Sequence, residues 1–377
     1  MSFRTLSSLL VLSALLVAAP VRAADLPAAT SQYLKDLGID PKVLDGIDGE
    51  LKVPQAWIDG AKKEGKLIVS ADWSSEEFPI LVKPFTERYP FIEPENSYAS
   101  YGNRAIAVLL AYRQKRVLAD VINGFGGATP QYEAAGALEN IADLPNMTNL
   151  ASDQMRDPKG LWVGHQVTYW CMPYNTNLVK PGDLPKTWDD LLTDKALANG
   201  ALGINQRPQL WLVQLWAAKG DAWGKNFVDK LFDVVKPQLR GEDVNAMVGL
   251  VELGELHASL PGAQYRAKIE ADKGAPVSFH CPEPVTASID ELGILHGSPD
   301  PFAAKLFVNW ILSREGQIAQ VEAVHTVPVH KLLQDARFIP YANTIIGKPT
   351  VTRTPDAVAQ YGKAMFDAWN AHWGVSK

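Results

Sequence analysis

The sequence predicts an α/β fold in which helices cover a parallel or mixed sheet. Short runs of apolar and β-branched residues alternate with segments of helical periodicity, and this order of strand and helix is typical of such a sheet. The 28 glycines and 26 prolines suit many short loops between regular elements. A chain of 377 residues is long enough for two or three domain-sized units, or for two lobes of one fold.

The predicted elements begin with a helix between Pro54 and Gly65. Proline in the first turn, Lys62 and Lys63 in the last turn and glycine just beyond it match the chemistry of helix ends. The apolar run that follows predicts a buried strand. Expected in order are a strand over 67–69, helices over 74–89 and 106–116, and a strand over 120–122.

The same alternation continues to the C-terminal part. Thr187 is expected to cap a short helix, with Asp190 completing an imperfect capping box. Pro301 opens a strongly amphipathic helix, and Ser313 caps the next one. The expected strands in this part lie over 167–173 and 202–204, and a further helix is expected over 210–218.

Charge and motifs exclude several function classes. The formal net charge is −6 and no block of Lys and Arg stands out, which argues against nucleic acid and anionic membranes as partners. The sequence lacks the nucleophile-elbow, zinc-protease and phosphate-loop motifs, and the glycine loop at 124–127 does not complete a dinucleotide fingerprint. We therefore expect no catalysis and no cofactor. A secreted hydrolase or isomerase is the alternative from a different class.

The first 23 residues predict a secretory signal peptide. Arg4 precedes an apolar run over 6–19 that is too short to span a bilayer, and Val21, Arg22 and Ala23 form a cleavage pattern. The alternative is an N-terminal membrane anchor. No cysteine lies near the cleavage pattern, so we expect a soluble periplasmic protein without a lipid anchor.

The two cysteines, Cys171 and Cys281, leave two interpretations open. Neither belongs to a CxxC pair, which argues against metal binding. In an oxidising compartment they could form one disulfide, or they could be two buried free thiols.

Six segments stand in a characteristic order along the chain. They are AKKEGKLIV at 61–69, PFTERYP at 84–90, ADV at 119–121, PYNTN at 173–177, PKTWDDLL at 185–192, and AAKLF with LSREGQ between 303 and 317. Behind a signal peptide, this order resembles the extracellular solute-binding proteins of bacterial ABC importers. The resemblance is to cluster II, the branch with ferric-iron, polyamine, thiamine and phosphorylated-compound binders.

The resemblance implies a type II periplasmic binding fold, in which two α/β lobes joined by hinge strands close on a ligand in the cleft between them. It implies an N-terminal extension over 24–53, lobe 1 over 54–166, lobe 2 over 167–281, and a return to lobe 1 with C-terminal helices over 282–377. The two cysteines then lie at the lobe crossings, and a disulfide across the hinge is favoured. The implied partners are a small-molecule ligand and an inner-membrane permease, with the protein itself a monomer.

Ligands of open α/β sheets bind beyond the carboxyl ends of strands, where helix N-termini present free N–H groups. The predicted strand ends and the hinge nominate a set of ligand contacts: Asp72, Trp73, Ser74, Tyr101, Asn103, Gly126, Gly127, Gln206, Arg207, Tyr265 and Thr286. Several have a structural alternative. Asp72 could cap a helix, Trp73 could pack between elements, the glycines could form only a tight turn, and Arg207 could form an ion pair.

The expected ligand is a small polar organic solute with an acidic group. The guanidinium of Arg207 suits phosphate, phosphonate or carboxylate, and the eleven tryptophans of the chain favour an organic molecule. Asp72 favours an amine or hydroxyls, so an amino-phosphonate or a sugar phosphate would satisfy both residues. Ferric iron is the second hypothesis. Related iron binders use adjacent tyrosines with a His or Glu, whereas the matching stretch here has only Tyr265, so iron ranks below an organic solute.

Overall fold

The computed structural model describes residues 26–71, 73–97, 101–125 and 127–373, with the backbone alone for residues 101–104. The predicted signal peptide therefore lies outside the described residues. None of the helices within these ranges has the length and apolarity that a membrane crossing requires.

Helices and strands alternate along the chain. The helices are α1 Ala28–Asp36, α2 Ile47–Glu50, α3 Gln55–Glu64, α4 Glu77–Arg88, α5 Tyr101–Arg113, α6 Thr129–Ala134, α7 Trp188–Leu191, α8 Leu212–Lys219, α9 Asp221–Lys230, α10 Val244–Glu252, α11 Gln264–Asp272, α12 Pro301–Ile311, α13 Arg314–Val324, α14 Ala342–Ile345 and α15 Pro355–Trp373. The strands are β1 Lys66–Ser70, β2 Glu93–Asn96, β3 Val121–Asn123, β4 Val163–Asn175, β5 Leu202–Asn205, β6 Gln238–Arg240, β7 Ala258–Leu260, β8 Gly262–Ala263, β9 Val277–His280, β10 Val285–Ile294, β11 Val327–Pro328 and β12 Thr350–Thr352.

Local end chemistry sets several helix boundaries as the sequence predicts. Gly65 ends α3 with φ +73°, a conformation that favours glycine. Thr187 and Asp190 form a complete capping box at the start of α7. The hydroxyl of Ser313 accepts a hydrogen bond from the N–H of Gly316 at the start of α13. Helix α5 differs from the prediction, because it begins and ends several residues earlier than the expected span of 106–116.

The sheet is mixed and is built in two halves. In the first sheet half, β1 runs parallel to β2 and β3, and β10 runs antiparallel to β3 and β4. In the second sheet half, β5 runs parallel to β6 and β7. The strand order across the whole is β2-β1-β3-β10-β4-β7-β5-β6. The predicted parallel or mixed sheet is confirmed.

One long strand connects the two sheet halves. The N-terminal part of β4 pairs with β10, from Val163 with Leu292 to Tyr169 with Ala287. Its C-terminal part pairs with β9, where Met172 lies opposite His280. Strand β4 therefore leads from the first half to the second, and β9 followed by β10 leads back.

A disulfide joins these connecting segments. Cys171 in β4 and Cys281, just after β9, are bonded, and their Cα atoms lie 5.0 Å apart. Both residues are buried. The cross-link therefore lies where the chain passes from one sheet half to the other.

Aromatic side chains fill the interiors on both sides of this connection. Beside the first sheet half, Phe85 packs against Phe307 and Trp310. Beside the second half, the rings of Trp188 and Trp211 stack with centroids 4.9 Å apart. Helix α15 packs on α8 and α9, so the end of the described chain covers the second sheet half.

The segment before α3 is fixed to the body by buried polar contacts. Helix α1 contributes the hydroxyl of Thr30, which donates to the carboxylate of Glu315 at 2.9 Å. At the end of α2, Glu50 pairs with Arg314, whose Nε lies 2.6 Å from Oε1. The residues expected to form an N-terminal extension thus pack against the start of α13.

Candidate functional site

A polar pocket lies at the carboxyl ends of the parallel strands β5 and β6. It has a volume of about 390 Å³ and is lined by Asn205, Gln206, Arg207, Gln209, Gly241, Glu242 and Asp243. This is the edge of an α/β sheet at which ligands bind. The structure therefore brings Gln206 and Arg207, both nominated from the sequence, into one pocket.

Arg207 is the cation of this pocket that is best placed for an anionic ligand. Its backbone N–H donates to Oδ1 of Asn205 at 3.1 Å, which fixes the turn that follows β5. Its Nη2 lies 3.2 Å from Oδ2 of Asp243, and its side chain is 48% exposed. Because an exposed ion pair contributes little free energy, a ligand anion can replace Asp243 at low cost. The ion-pair alternative thus describes the ligand-free pocket.

Gln209 adds a buried acceptor to the same pocket. Its Oε1 atom is buried and has no hydrogen-bond partner among the described residues. A buried polar atom without a partner costs free energy, which a donor group of a ligand would recover. The pocket can therefore bind an anion at Arg207 and a hydrogen-bond donor at Gln209.

In the first sheet half, the glycine loop after β3 contacts Glu291 of β10. The N–H of Gly124 donates to the carbonyl oxygen of Glu291 at 2.7 Å. The backbone N–H of Phe125 lies near enough to the Glu291 carboxylate to lower the pKa of that carboxyl. Gly127 has φ +87°, and a Cβ there would meet no described heavy atom within 4 Å. The loop thus turns tightly, and none of the described residues crowds Gly127. Gly126 lies outside the described residues.

The pKa of the Glu291 carboxyl is raised to about 7, chiefly by burial, with Arg353 lowering it and the nearby Asp290 carboxylate raising it to smaller extents. The Oε2 atom of Glu291 is buried without a hydrogen-bond partner in the described part of the chain. Sequence reasoning did not nominate this residue, because only the long-range pairing of β10 with β3 brings it to the glycine loop.

The raised pKa predicts a pH dependence of stability. The carboxyl is protonated more readily in the folded than in the unfolded chain, so its contribution to stability is complete below the ordinary pKa of 4.5 and is lost as the pH rises through about 7. We expect Glu291→Gln to gain roughly 2–4 °C in Tm relative to wild type between pH 4.5 and 8. Thermal unfolding of both proteins across this range measures the gain. A difference in Tm that stays constant with pH would show that Glu291 has an ordinary pKa.

Trp73 lies in the interior, with 3% of its surface exposed. Its ring packs against Phe78, Phe307 and the imidazole of His165. Its carbonyl oxygen accepts a hydrogen bond from Nδ2 of Asn96 at 2.6 Å. This placement supports packing, the alternative interpretation of Trp73, over an aromatic surface for a ligand.

Ser74 and Thr286 also make structural contacts. The hydroxyl of Ser74 accepts from the N–H of Glu77, and the Glu77 carboxylate accepts from the N–H of Ser74, so this pair caps α4. Thr286 is buried and donates to the carbonyl oxygen of Trp170 at 2.6 Å. The Thr286 hydroxyl thereby joins β10 to β4.

The remaining nominated residues lie elsewhere in the fold or outside the described residues. Tyr265 is half-buried in the first turn of α11. Tyr101 and Asn103 begin α5, and their side chains are outside the described part of the chain, as is Asp72 entirely. Among the described residues, no group of three or more His, Cys, Asp or Glu side chains is arranged to hold a metal ion.

Comparison with known proteins supports the architecture. A family model described as bacterial extracellular solute-binding protein matches residues 71–318, which is more than half of the chain. No curated protein matches the sequence.

Several solved structures share the fold at low sequence identity. Iron-bound HitA from Pseudomonas aeruginosa is 19% identical with a TM-score of 0.66, over 83% of this chain and 99% of that chain. A putative extracellular solute-binding protein from Bordetella parapertussis is 16% identical with a TM-score of 0.68, over 82% and 99%. AfuA from Actinobacillus pleuropneumoniae, with exogenous fructose-6-phosphate bound, is 17% identical with a TM-score of 0.64, over 82% and 99%. The two-lobe type II architecture expected from the sequence is thereby confirmed.

Proposed function

Because this chain belongs to the bacterial extracellular solute-binding proteins, we propose that it captures a small polar organic solute with an acidic group in the periplasm and delivers it to an ABC permease. The proteins of this family are binding proteins of transport systems and not enzymes. The observation that carries the proposal is the polar pocket around Arg207 at the carboxyl ends of β5 and β6. Phosphate, phosphonate and carboxylate are the groups that a guanidinium recognises best. AfuA, which shares the fold, was solved with exogenous fructose-6-phosphate bound, and this solute carries such a group.

We infer that the two lobes close because a bound solute shifts the population from the open to the closed form. The pocket around Arg207 belongs to the second sheet half, and the glycine loop belongs to the first. A solute that contacts both lobes only in the closed form stabilises that form by its difference in affinity for the two forms. We propose lobe 1 over 54–166 with the return after 282, lobe 2 over 167–281 with α15 packed on it, and the strands joined by the disulfide as the hinge.

We expect Arg207→Ala to weaken solute binding by about 10- to 100-fold, the loss that follows from removing a charge-assisted hydrogen bond. The thermal stability of the ligand-free protein should change little, because the ion pair with Asp243 is exposed. Native mass spectrometry of protein purified gently from the periplasm measures the fraction that carries a solute.

Arg337→Ala is the matched control. Arg337 is an arginine of similar exposure that pairs with Asp335, and the pocket around Arg207 does not include it. Its replacement should leave the solute-carrying fraction unchanged. Equal occupancy of the Arg207→Ala and Arg337→Ala proteins would remove Arg207 from the site.

Ferric iron is the second candidate cargo, and the shared fold of iron-bound HitA favours it. Tyr265 would be the phenolate ligand, since it lies in the first turn of α11, between β8 and β9. A visible tyrosinate-to-iron charge-transfer band in the purified protein would identify this cargo, and its loss in Tyr265→Phe would assign the ligand.

A further inference from the structure

We propose that the carboxylate of Glu291 contacts the bound solute and recognises a hydrogen-bond-donating group on it, either an ammonium or a hydroxyl. The inference rests on the proposed function, and it assigns the chemistry of the solute at the end of the cleft opposite Arg207.

Glu291 lies opposite a β-bulge in β4, where His165 is the extra residue. The register of β10 against β4 shifts between Asp290, which lies opposite Gln166, and Glu291, which lies opposite Gly164. Bulges re-aim side chains and occur next to functional sites. Asp290 and Glu291 lie on either side of this register shift, and their carboxylates have different surroundings.

The carboxylate of Asp290 is satisfied within the protein. Its Oδ2 atom accepts hydrogen bonds from Nε2 of Gln166 and from the hydroxyl of Thr168, both at 2.9 Å. Asp290 thus has a structural role at the junction of β4 and β10. Glu291 differs, because its Oε2 atom is buried and accepts no hydrogen bond from the described residues.

Two buried acceptor oxygens on β4 and β10 lack a hydrogen-bond partner among the described residues. One is Oε2 of Glu291, and the other is Oε1 of Gln166, which is also buried and lacks a partner in the described structure. The orientation of the Gln166 amide follows from its donation to Asp290. Strands β4 and β10 thus each carry a buried acceptor oxygen without a partner among the described residues, and leaving such an atom unsatisfied costs free energy.

The surroundings favour a donor and disfavour a second anion. The groups that act on the Glu291 carboxylate are Arg353 just after β12, Asp290 on its own strand, and the backbone N–H groups of Glu291 itself and of Phe125 in the glycine loop. With Asp290 adjacent, an acidic group of the solute would meet two carboxylates. An ammonium or a hydroxyl would instead satisfy Oε2, so the acidic group of the solute is assigned to Arg207.

Three ligands that differ at one position test this assignment. They are 2-aminoethylphosphonate, 2-hydroxyethylphosphonate and ethylphosphonate, which share the acidic group and carry an ammonium, a hydroxyl or neither. Isothermal titration calorimetry at pH 8 should show that wild type binds at least one of the first two about 10-fold more tightly than ethylphosphonate. Preference for the amino compound assigns an ammonium, and preference for the hydroxy compound assigns a hydroxyl.

The variant Glu291→Gln should reduce this preference to about twofold or less, because it replaces the anionic acceptor with a neutral amide. Glu322→Gln is the matched control, since Glu322 is a half-buried carboxyl on α13 whose pKa burial also raises. This control should keep the wild-type preference. The preference of wild type among the three ligands does not depend on whether either variant folds.

Two results would overturn the inference. One is equal binding of ethylphosphonate and its two analogues by wild type, and the other is a preference that survives in Glu291→Gln. If none of the three binds while native mass spectrometry shows an organic adduct with an acidic group on periplasmic protein, the inference fails and the proposed function stands. If there is neither binding nor an adduct, both fail.

Discussion

The Cys171→Ser, Cys281→Ser double variant is expected to lose about 4–5 kcal/mol of stability, the value for a disulfide that closes a loop of about 100 residues. The two cysteines are 110 positions apart, and both are buried. The double substitution frees the unfolded chain from this constraint and leaves the folded contacts of β4 and β10 in place. Urea unfolding of oxidised wild type and of the double variant measures the difference.

Thiol titration of denatured, unreduced wild type is the control for the disulfide. It should detect no free thiol. Two free thiols, or a double variant within about 1 kcal/mol of wild type, would show that the cross-link is absent or does not stabilise the fold.

The Glu315→Ala variant is expected to lose about 3–5 kcal/mol, the cost of breaking a buried ion pair by removing one partner. Glu315 is fully buried, and its carboxylate accepts two hydrogen bonds from Arg88, both at 2.8 Å. The indole N–H of Trp310 and the hydroxyl of Thr30 donate to it as well. Without the carboxylate, all of these donors and the charge of Arg88 lose their acceptor.

Asp367→Ala is the comparison for this variant. Asp367 pairs with Lys363 on the exposed face of α15, and such a pair contributes less than about 1 kcal/mol. Urea unfolding should therefore separate the two variants by at least about 2 kcal/mol. Similar losses would mean that the contacts of Glu315 with α1, α4 and α12 do not hold these helices together.

Local patterns predicted the elements well wherever one short segment contains all the interactions that decide them. The capping box of Thr187 and Asp190, the cap at Ser313 and the stop at Gly65 each involve neighbours within four residues. The early start of α5 shows the limit, since its first turn precedes the apolar periodicity from which the helix was predicted.

The candidate site was predictable only in part, for the same reason. Arg207 could be nominated because a strand, a polar turn and Pro208 follow one another in the sequence. Its partner Asp243 and the acceptor Glu291 could not be nominated from the sequence. The pairing of β5 with β6 brings Asp243 into place, and the pairing of β3 with β10 brings Glu291 into place. Trp73 has the position of a cleft residue in the sequence, but its ring is covered by Phe78 and Phe307, which no local pattern indicates.

The most direct test of solute capture is native mass spectrometry of the protein purified gently from the periplasm, compared with the same sample after unfolding and refolding. We expect one small organic adduct per chain that disappears on refolding, with a mass and fragmentation that reveal an acidic group. An adduct with the mass of a single iron ion, or an organic adduct without an acidic group, would contradict the account.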